Sequence, residues 1–153
     1  MRCSISLFVR HACLVTCALI LIDCHAAHAK DAIDLERFRP SAIARWEQAM
    51  VDFDQKNDAE THPDDSILFV GSSSIVRWDH ISTDVVPYHA IQRGFGGSRW
   101  SDVAVYAERL IKPHKFRAVV FFVANDITGG DNDRTPAEVL ALFAHVRDVV
   151  RVH

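Results

Sequence analysis

Hydrophobic and polar residues alternate along this chain in blocks that predict helices and strands in turn. The stretch "SAIARWEQAMVDFDQ" spaces Ile43, Trp46, Met50 and Phe53 three or four residues apart, which is typical of an amphipathic helix. The polar segment "KNDAETHPDDS" then predicts a loop. It leads into the short apolar run "ILFV", which indicates a strand that is covered on both faces.

The same alternation continues toward the end of the chain. "YHAIQ" predicts a second strand, and "RWSDVAVYAERLI" predicts a helix after it. "FRAVVFFVAND" is the strongest strand pattern, and its apolar residues predict cover on both faces. A last helix is expected to begin with a capping box of Thr135 and Glu138, with Pro136 at its first position. Alternating strands and helices predict an α/β fold with a parallel sheet.

The first 29 residues have a different composition. Arg2 and Arg10 precede the apolar run "CLVTCALILI", and small residues follow as far as Ala29. This order is that of a secretory signal peptide, so we expect cleavage after Ala29 and export to the periplasm or the medium. The apolar run is about half the roughly 20 residues of a membrane span, so no stable transmembrane segment is expected. Lipidation at Cys24 is an alternative.

Composition and charge exclude several classes of function. The chain has 153 residues and a net charge of −3, and it contains no basic cluster of the kind that binds nucleic acid. All four cysteines lie in the predicted signal peptide, which leaves no disulfide or thiol chemistry in the mature chain. No metal site is predicted, because none of the remaining histidines has a metal-ligand spacing: His62, His80, His89, His114, His145 and His153.

Three polar clusters each follow a predicted strand: "GSSS", "GFGG" and "AND". Because the carboxyl ends of parallel strands meet at one edge of a sheet, we expect these clusters to lie close together. Acyl transfer requires a nucleophilic hydroxyl and donors for the oxyanion, which a serine, a glycine amide and an asparagine can supply. The simpler alternatives are a helix N-cap for Ser73, a tight turn for Gly97 and loop capping for Asn125 and Asp126. Trp78 and Trp100 either pack the fold or line an acyl or sugar pocket.

The three clusters, in this order and at these strand ends, resemble the SGNH, or GDSL-type, esterase and lipase family. The resemblance runs from about Ser66 to the end of the chain. It implies that Ser73 is the nucleophile and that Gly97 and Asn125 stabilise the oxyanion. It also implies a three-layer α/β/α sandwich with a flavodoxin-like sheet, no cofactor, and hydrolysis of a small-molecule, lipid or acetylated-carbohydrate ester.

The sequence departs from the family pattern at several positions. Ser72 stands where the family has aspartate, Gln92 where many members have asparagine, and Val123 where glycine is frequent. The family's last block, an aspartate and a histidine three residues apart, does not follow Asn125. We therefore expect a C-terminally incomplete domain that lacks its catalytic base, since neither His80 nor His89 lies in a motif that could replace it.

Two interpretations follow from this pattern. One is an exported serine ester hydrolase, and the other is a truncated or decayed domain that binds an acyl or glycan ligand without turnover. The oligomeric state stays open in both. We divide the chain into a signal peptide, an N-terminal helix with its linker, and a partial hydrolase-type domain: residues 1–29, 30–62 and 63–153.

Overall fold

A computed structural model describes residues 33–153 of the chain. The predicted signal peptide, its cleavage site after Ala29 and the alternative lipidation site Cys24 lie outside the described residues. Between residues 33 and 153, no helix combines the length and the apolar composition that are needed to cross a membrane.

Helices and strands alternate as the sequence predicts. The helices of the described region are α1 (Arg39–Ala59), α2 (Ser73–Val76), α3 (Ile81–Asp84), α4 (Trp100–Val105), α5 (Ala107–Ile111) and α6 (Pro136–Arg151). Its strands are β1 (Ile67–Gly71), β2 (Ala90–Gly94) and β3 (Ala118–Phe122).

The three strands form a parallel sheet in the order β2-β1-β3. The central strand β1 pairs along its whole length with both neighbours, and Gly71 at its carboxyl end lies opposite Gly94 of β2 and Phe122 of β3. The expectation of an α/β fold with a parallel sheet is therefore confirmed. The three loops that carry the predicted site residues all leave the sheet at this edge.

The larger core lies on one face of the sheet. Leu68, Val70 and Ile91 of the strands pack there against apolar residues of α1, α4, α5 and α6. On the opposite face, Phe69 packs with Ile75 and Ile81 in a smaller cluster. The short helices α2 and α3 supply these two isoleucines, so the second face is covered where β1 and β2 lie.

Strand β3 is covered on one face only within the described region. Val119 and Phe121 are partly buried against the larger core, whereas Val120 and Phe122 are 40% and 49% exposed. The expectation of cover on both faces is therefore wrong for this strand. The reason is the placement of α2 and α3, which contact the other two strands of the sheet.

Helix α1 differs from its prediction in length and in the residues that it buries. It continues to Ala59, so residues 56–59 are helical instead of being part of the linker. Ile43, which was predicted on the apolar face, is 45% exposed, and Ala42 is buried in its place. The buried stripe runs through Ala42, Met50 and Phe53, one residue away from the predicted face at its start.

The segment after β2, which was predicted to be one helix, forms two short helices that are separated at Tyr106. The Tyr106 hydroxyl donates to Glu47 of α1 at 2.9 Å. Arg109 of α5 forms ion pairs with Glu47 at 2.7 Å and with Asp54 at 2.6 Å. These contacts hold α5 against α1. They join residues that are far apart in sequence, so the helical periodicity of one segment could not predict them.

The predicted start of the last helix is confirmed. The Thr135 hydroxyl accepts a hydrogen bond from the Glu138 amide at 3.2 Å, and the Glu138 carboxylate accepts one from the Thr135 amide at 3.3 Å. Pro136 occupies the first helical position, where its missing amide hydrogen costs nothing.

Candidate active site

The predicted nucleophile, Ser73, is the first residue of α2 and lies two residues after Gly71, the last residue of β1. Ser72 between them is buried, and its amide donates to the Phe122 carbonyl of β3 at 3.0 Å. Gly71 allows this close approach, because a Cβ there would collide with the Phe122 carbonyl and lie 2.7 Å from Ile75. The strand end is therefore fixed, and Ser73 follows it in a partly exposed position.

The alternative role of Ser73 as a helix N-cap is wrong. Ser72 occupies the N-cap position of α2, and its side chain makes no capping hydrogen bond. Within residues 33–153, the Ser73 hydroxyl forms no hydrogen bond, whereas Ser41 and Ser66 donate to nearby carbonyls. The Ser73 hydroxyl is thus available to an incoming group.

No histidine of the described region is hydrogen-bonded to Ser73. His62 contacts Glu60 at 3.2 Å, and His153 donates to the carbonyl of His114 at 2.7 Å. His114 itself is buried in the loop before β3, at the opposite edge of the sheet. A serine nucleophile requires an adjacent base, and residues 33–153 do not place a histidine in that role.

The predicted oxyanion glycine, Gly97, lies in the turn after β2. Its φ of +81° is in the left-handed region, which glycine adopts without steric cost. A Cβ at this position would have a single neighbour within 4 Å, the Nη2 atom of Arg45 at 4.0 Å. The backbone of Gly97 is therefore approachable, and the tight-turn role and the oxyanion role are compatible here.

Asn125 connects the loops that follow β2 and β3. Its Nδ2 atom donates to the Ser98 carbonyl at 2.9 Å. An asparagine amide has two hydrogens, so this bond fixes the side chain and leaves a second hydrogen for a ligand.

Gly97 and Asn125 line one polar cleft of about 480 Å³. Its walls come from α1, from the first turn of α4 and from the loops after β2 and β3: Ser41, Arg45, Gly97, Arg99, Ser101, Asp102, Asn125, Thr128 and Arg134. Ser73 is not among these lining residues. The structure therefore brings two of the three predicted site residues together in a cleft and places Ser73 at the neighbouring strand end.

Asp126, which was expected to be an ordinary loop residue, is 2% exposed and joins three segments. Its carboxylate accepts the Trp100 amide at 2.8 Å and the Arg134 Nε–H at 3.0 Å. Burial raises the pKa of the Asp126 carboxyl, and these two donors partly offset that effect. No local sequence signal distinguishes this aspartate from a turn residue, because both partners lie elsewhere in the chain.

The two tryptophans beside the clusters pack the fold. Trp100 contacts Phe121 and Phe143, with ring centroids 5.7 and 5.4 Å apart. Trp78 packs edge-on against Phe69 at 5.6 Å. Neither side chain lines the cleft of Gly97 and Asn125, so the alternative of a pocket role for them finds no support there.

Gln92 has a structural function at the position where it departs from the family pattern. Its side-chain amide donates to the Ile75 carbonyl at 2.5 Å and to the Trp78 carbonyl at 3.3 Å. Gln92 therefore holds α2, the helix that begins with Ser73, against strand β2.

Comparison with known proteins gives a likeness of fold. No protein-family model matches this chain, and a comparison with curated proteins gives no match. A solved structure from Streptococcus pneumonia, described as a candidate platelet activating factor, superimposes with a TM-score of 0.58 at 17% identity. The match covers 77% of this chain and 54% of that protein. At this identity the likeness shows the fold alone, and the match spans about half the length of that protein.

Proposed function

We propose that this chain is part of an exported serine ester hydrolase of the GDSL type, built on a three-layer α/β/α sandwich. In this proposal Ser73 is the nucleophile, and the Gly97 amide and the Asn125 side chain stabilise the oxyanion. The substrate is a carboxylic ester of a small molecule, a lipid or an acetylated carbohydrate.

One observation carries the proposal: the loops after all three strands are tied together at the carboxyl edge of the sheet. The Ser72 amide is bonded to the Phe122 carbonyl, and the Asn125 side chain is bonded to the Ser98 carbonyl. A nucleophile loop and two donor loops are thus held on a rigid scaffold. Fixed donors of this kind stabilise a developing oxyanion more than mobile ones do.

The proposed reaction proceeds in two steps. The Ser73 oxygen attacks the acyl carbon while a base accepts its proton, and the carbonyl oxygen becomes an oxyanion that accepts hydrogen bonds from Gly97 and Asn125. Collapse of this intermediate expels the alcohol, which takes up the proton, and leaves an acyl-serine. Water then attacks the acyl-serine by the same route and releases the acid. The proposed base is a histidine from outside residues 33–153.

Acyl transfer to Ser73 can be tested without that histidine. We expect almost no turnover of a nitrophenyl acetate by the purified chain, because the loss of the base removes most of the rate of a serine hydrolase. Imidazole added as a small-molecule base should allow acetylation of Ser73, which peptide mass spectrometry detects. The Ser73→Ala variant should lose this label, whereas Ser74→Ala, which removes the exposed neighbouring hydroxyl, should keep it.

Labelling of the same peptide in Ser73→Ala as in the wild type would refute the assignment of Ser73 as the nucleophile.

A second interpretation is a non-catalytic domain that binds an acyl or glycan ligand. It is favoured by the lack of a histidine bonded to Ser73 within residues 33–153. Saturable binding of an ester without any acetylation of Ser73 would support that second interpretation.

A further inference from the structure

The cleft beside Gly97 carries more positive than negative charge. Among its lining residues, three are arginines, Arg45, Arg99 and Arg134, and one is an acid, Asp102. Asp102 is buried, and its carboxylate accepts the Arg99 amide at 2.9 Å as part of the start of α4. The guanidinium groups come from α1 and from two loops, so the fold gathers them from distant parts of the chain.

One of the three arginines is already paired. Arg134 donates to the Asp126 carboxylate at 3.0 Å and to the Ser101 hydroxyl at 2.9 Å. Its guanidinium also lies over the Phe38 ring, 4.6 Å from the centroid. Arg134 is therefore a fixed structural cation, and its charge is balanced by a buried aspartate.

The contacts of the Arg45 and Arg99 side chains do not involve a carboxylate. The Arg45 guanidinium lies over the Trp46 ring, 5.0 Å from the centroid, and Arg99 donates to the Asn132 carbonyl at 3.1 Å. Within residues 33–153, neither side chain forms an ion pair. Guanidinium groups match the paired oxygens of carboxylates and phosphates, and these two retain unused donors at the cleft.

We propose that this cleft binds an anionic group of a ligand, either a carboxylate or a phosphate, through Arg45 and Arg99. The assignment of a substrate rests on the hydrolase proposed above. In that hydrolase, the anionic group is a part of the ester substrate that lies next to the donors Gly97 and Asn125. The substrate class is then an anionic ester, and neutral short-chain esters are poorer ligands.

Binding can be measured apart from catalysis, by calorimetric titration of the purified chain with inorganic phosphate and, separately, with acetate. We expect saturable binding of at least one of these anions that weakens as chloride is added. Arg45→Gln and Arg99→Gln should each weaken it about tenfold, since each removes charge-assisted hydrogen bonds. Arg151→Gln, which removes one exposed charge from the end of α6, is the matched control and should leave it unchanged.

Two further variants keep the result unambiguous. Arg45→Lys retains the charge and should bind more tightly than Arg45→Gln but more weakly than the wild type, and thermal unfolding of every variant confirms that it is folded. Ser73→Ala should bind the anion as the wild type does. If Ser73 resists acetylation while the anion binds through Arg45 and Arg99, the cleft site stands and the proposed hydrolase fails.

The inference is overturned if neither anion binds saturably, or if Arg151→Gln weakens binding as much as Arg45→Gln. It is also overturned if folded Arg45→Gln and Arg99→Gln bind as well as the wild type. The anion that binds more tightly identifies the anionic group of the ligand. Tighter phosphate binding indicates a phosphate-bearing ligand, and tighter acetate binding indicates a carboxylate.

Discussion

We expect the buried histidine His114 to make the stability of this protein dependent on pH. Its side chain is 6% exposed, and its Nε2 atom has no hydrogen-bond partner among the described residues. The pKa of His114 is lowered from about 6.5 to about 4, mainly by burial and to a smaller extent by the nearby charges of Arg93 and His62, whereas Glu60 opposes them. The folded chain therefore contains a neutral imidazole in a place where the imidazolium is poorly solvated.

The sign of the effect follows from this lowered pKa. In the unfolded chain the imidazole accepts a proton below its ordinary pKa of about 6.5, whereas in the folded chain it does so only near about 4. The contribution of His114 to stability is thus fully present above about pH 6.5 and is lost as the pH falls toward about 4. The gap corresponds to at most about 3 kcal/mol of unfolding free energy, a large share of the roughly 5–15 kcal/mol of a typical domain.

Urea unfolding at a series of pH values tests this reasoning. The His114→Gln variant cannot accept a proton, so its unfolding free energy should fall less than that of the wild type between neutral pH and about pH 4. The prediction concerns the slope of unfolding free energy against pH in the two proteins. The absolute free energies are not compared, because the substitution also changes packing at all pH values. His89→Gln, which removes an exposed histidine, should retain the wild-type slope. Parallel curves for the wild type and His114→Gln would refute the argument.

Two further predictions concern the scaffold of the candidate site. Gly71→Ala should lower the unfolding free energy by more than about 2 kcal/mol in urea titrations, since its methyl group collides with the backbone of β3; Gly96→Ala, with open space around it, should be tolerated. Gln92→Ala should cost about 1 kcal/mol and raise the hydrogen exchange of α2, because it frees the Ile75 carbonyl, whereas the exposed Gln55→Ala should do neither.

The elements of the fold were predictable from local patterns. The strand predicted at residues 67–70 is observed as Ile67–Gly71, and the capping box at Thr135 is observed as expected. The second strand was placed about two residues early, because its end carries Gln92 and Arg93. These polar residues lie in a strand because other parts of the chain satisfy them. Arg93, for example, is bonded to Asn57 and Glu60 of the α1 region.

The candidate site was predictable only where its geometry is local. Ser73, Gly97 and Asn125 each follow a strand, so the rule for parallel sheets is enough to place them at one edge. The burial of Asp126 depends on how the loop after β3 packs against the start of α4, where the Trp100 amide donates to its carboxylate. The presence of Arg45 in the cleft depends on how α1 packs against the sheet. Such contacts join residues tens of positions apart, and no short pattern encodes them.

The proposed anion binding and the proposed hydrolysis therefore depend on different parts of this structure. The cleft is built by α1, by the first turn of α4 and by loops that are fixed through Asp126 and Asn125, and none of these contacts involves Ser73. The proposed hydrolysis needs in addition a base for Ser73, and within residues 33–153 no histidine is hydrogen-bonded to Ser73. A change that removes the Ser73 hydroxyl should thus abolish acyl transfer and leave the cleft intact, whereas a change that frees the loops at Asp126 should weaken both. The two proposals can fail independently, and the anion-binding experiment is the one that does not depend on a base for Ser73.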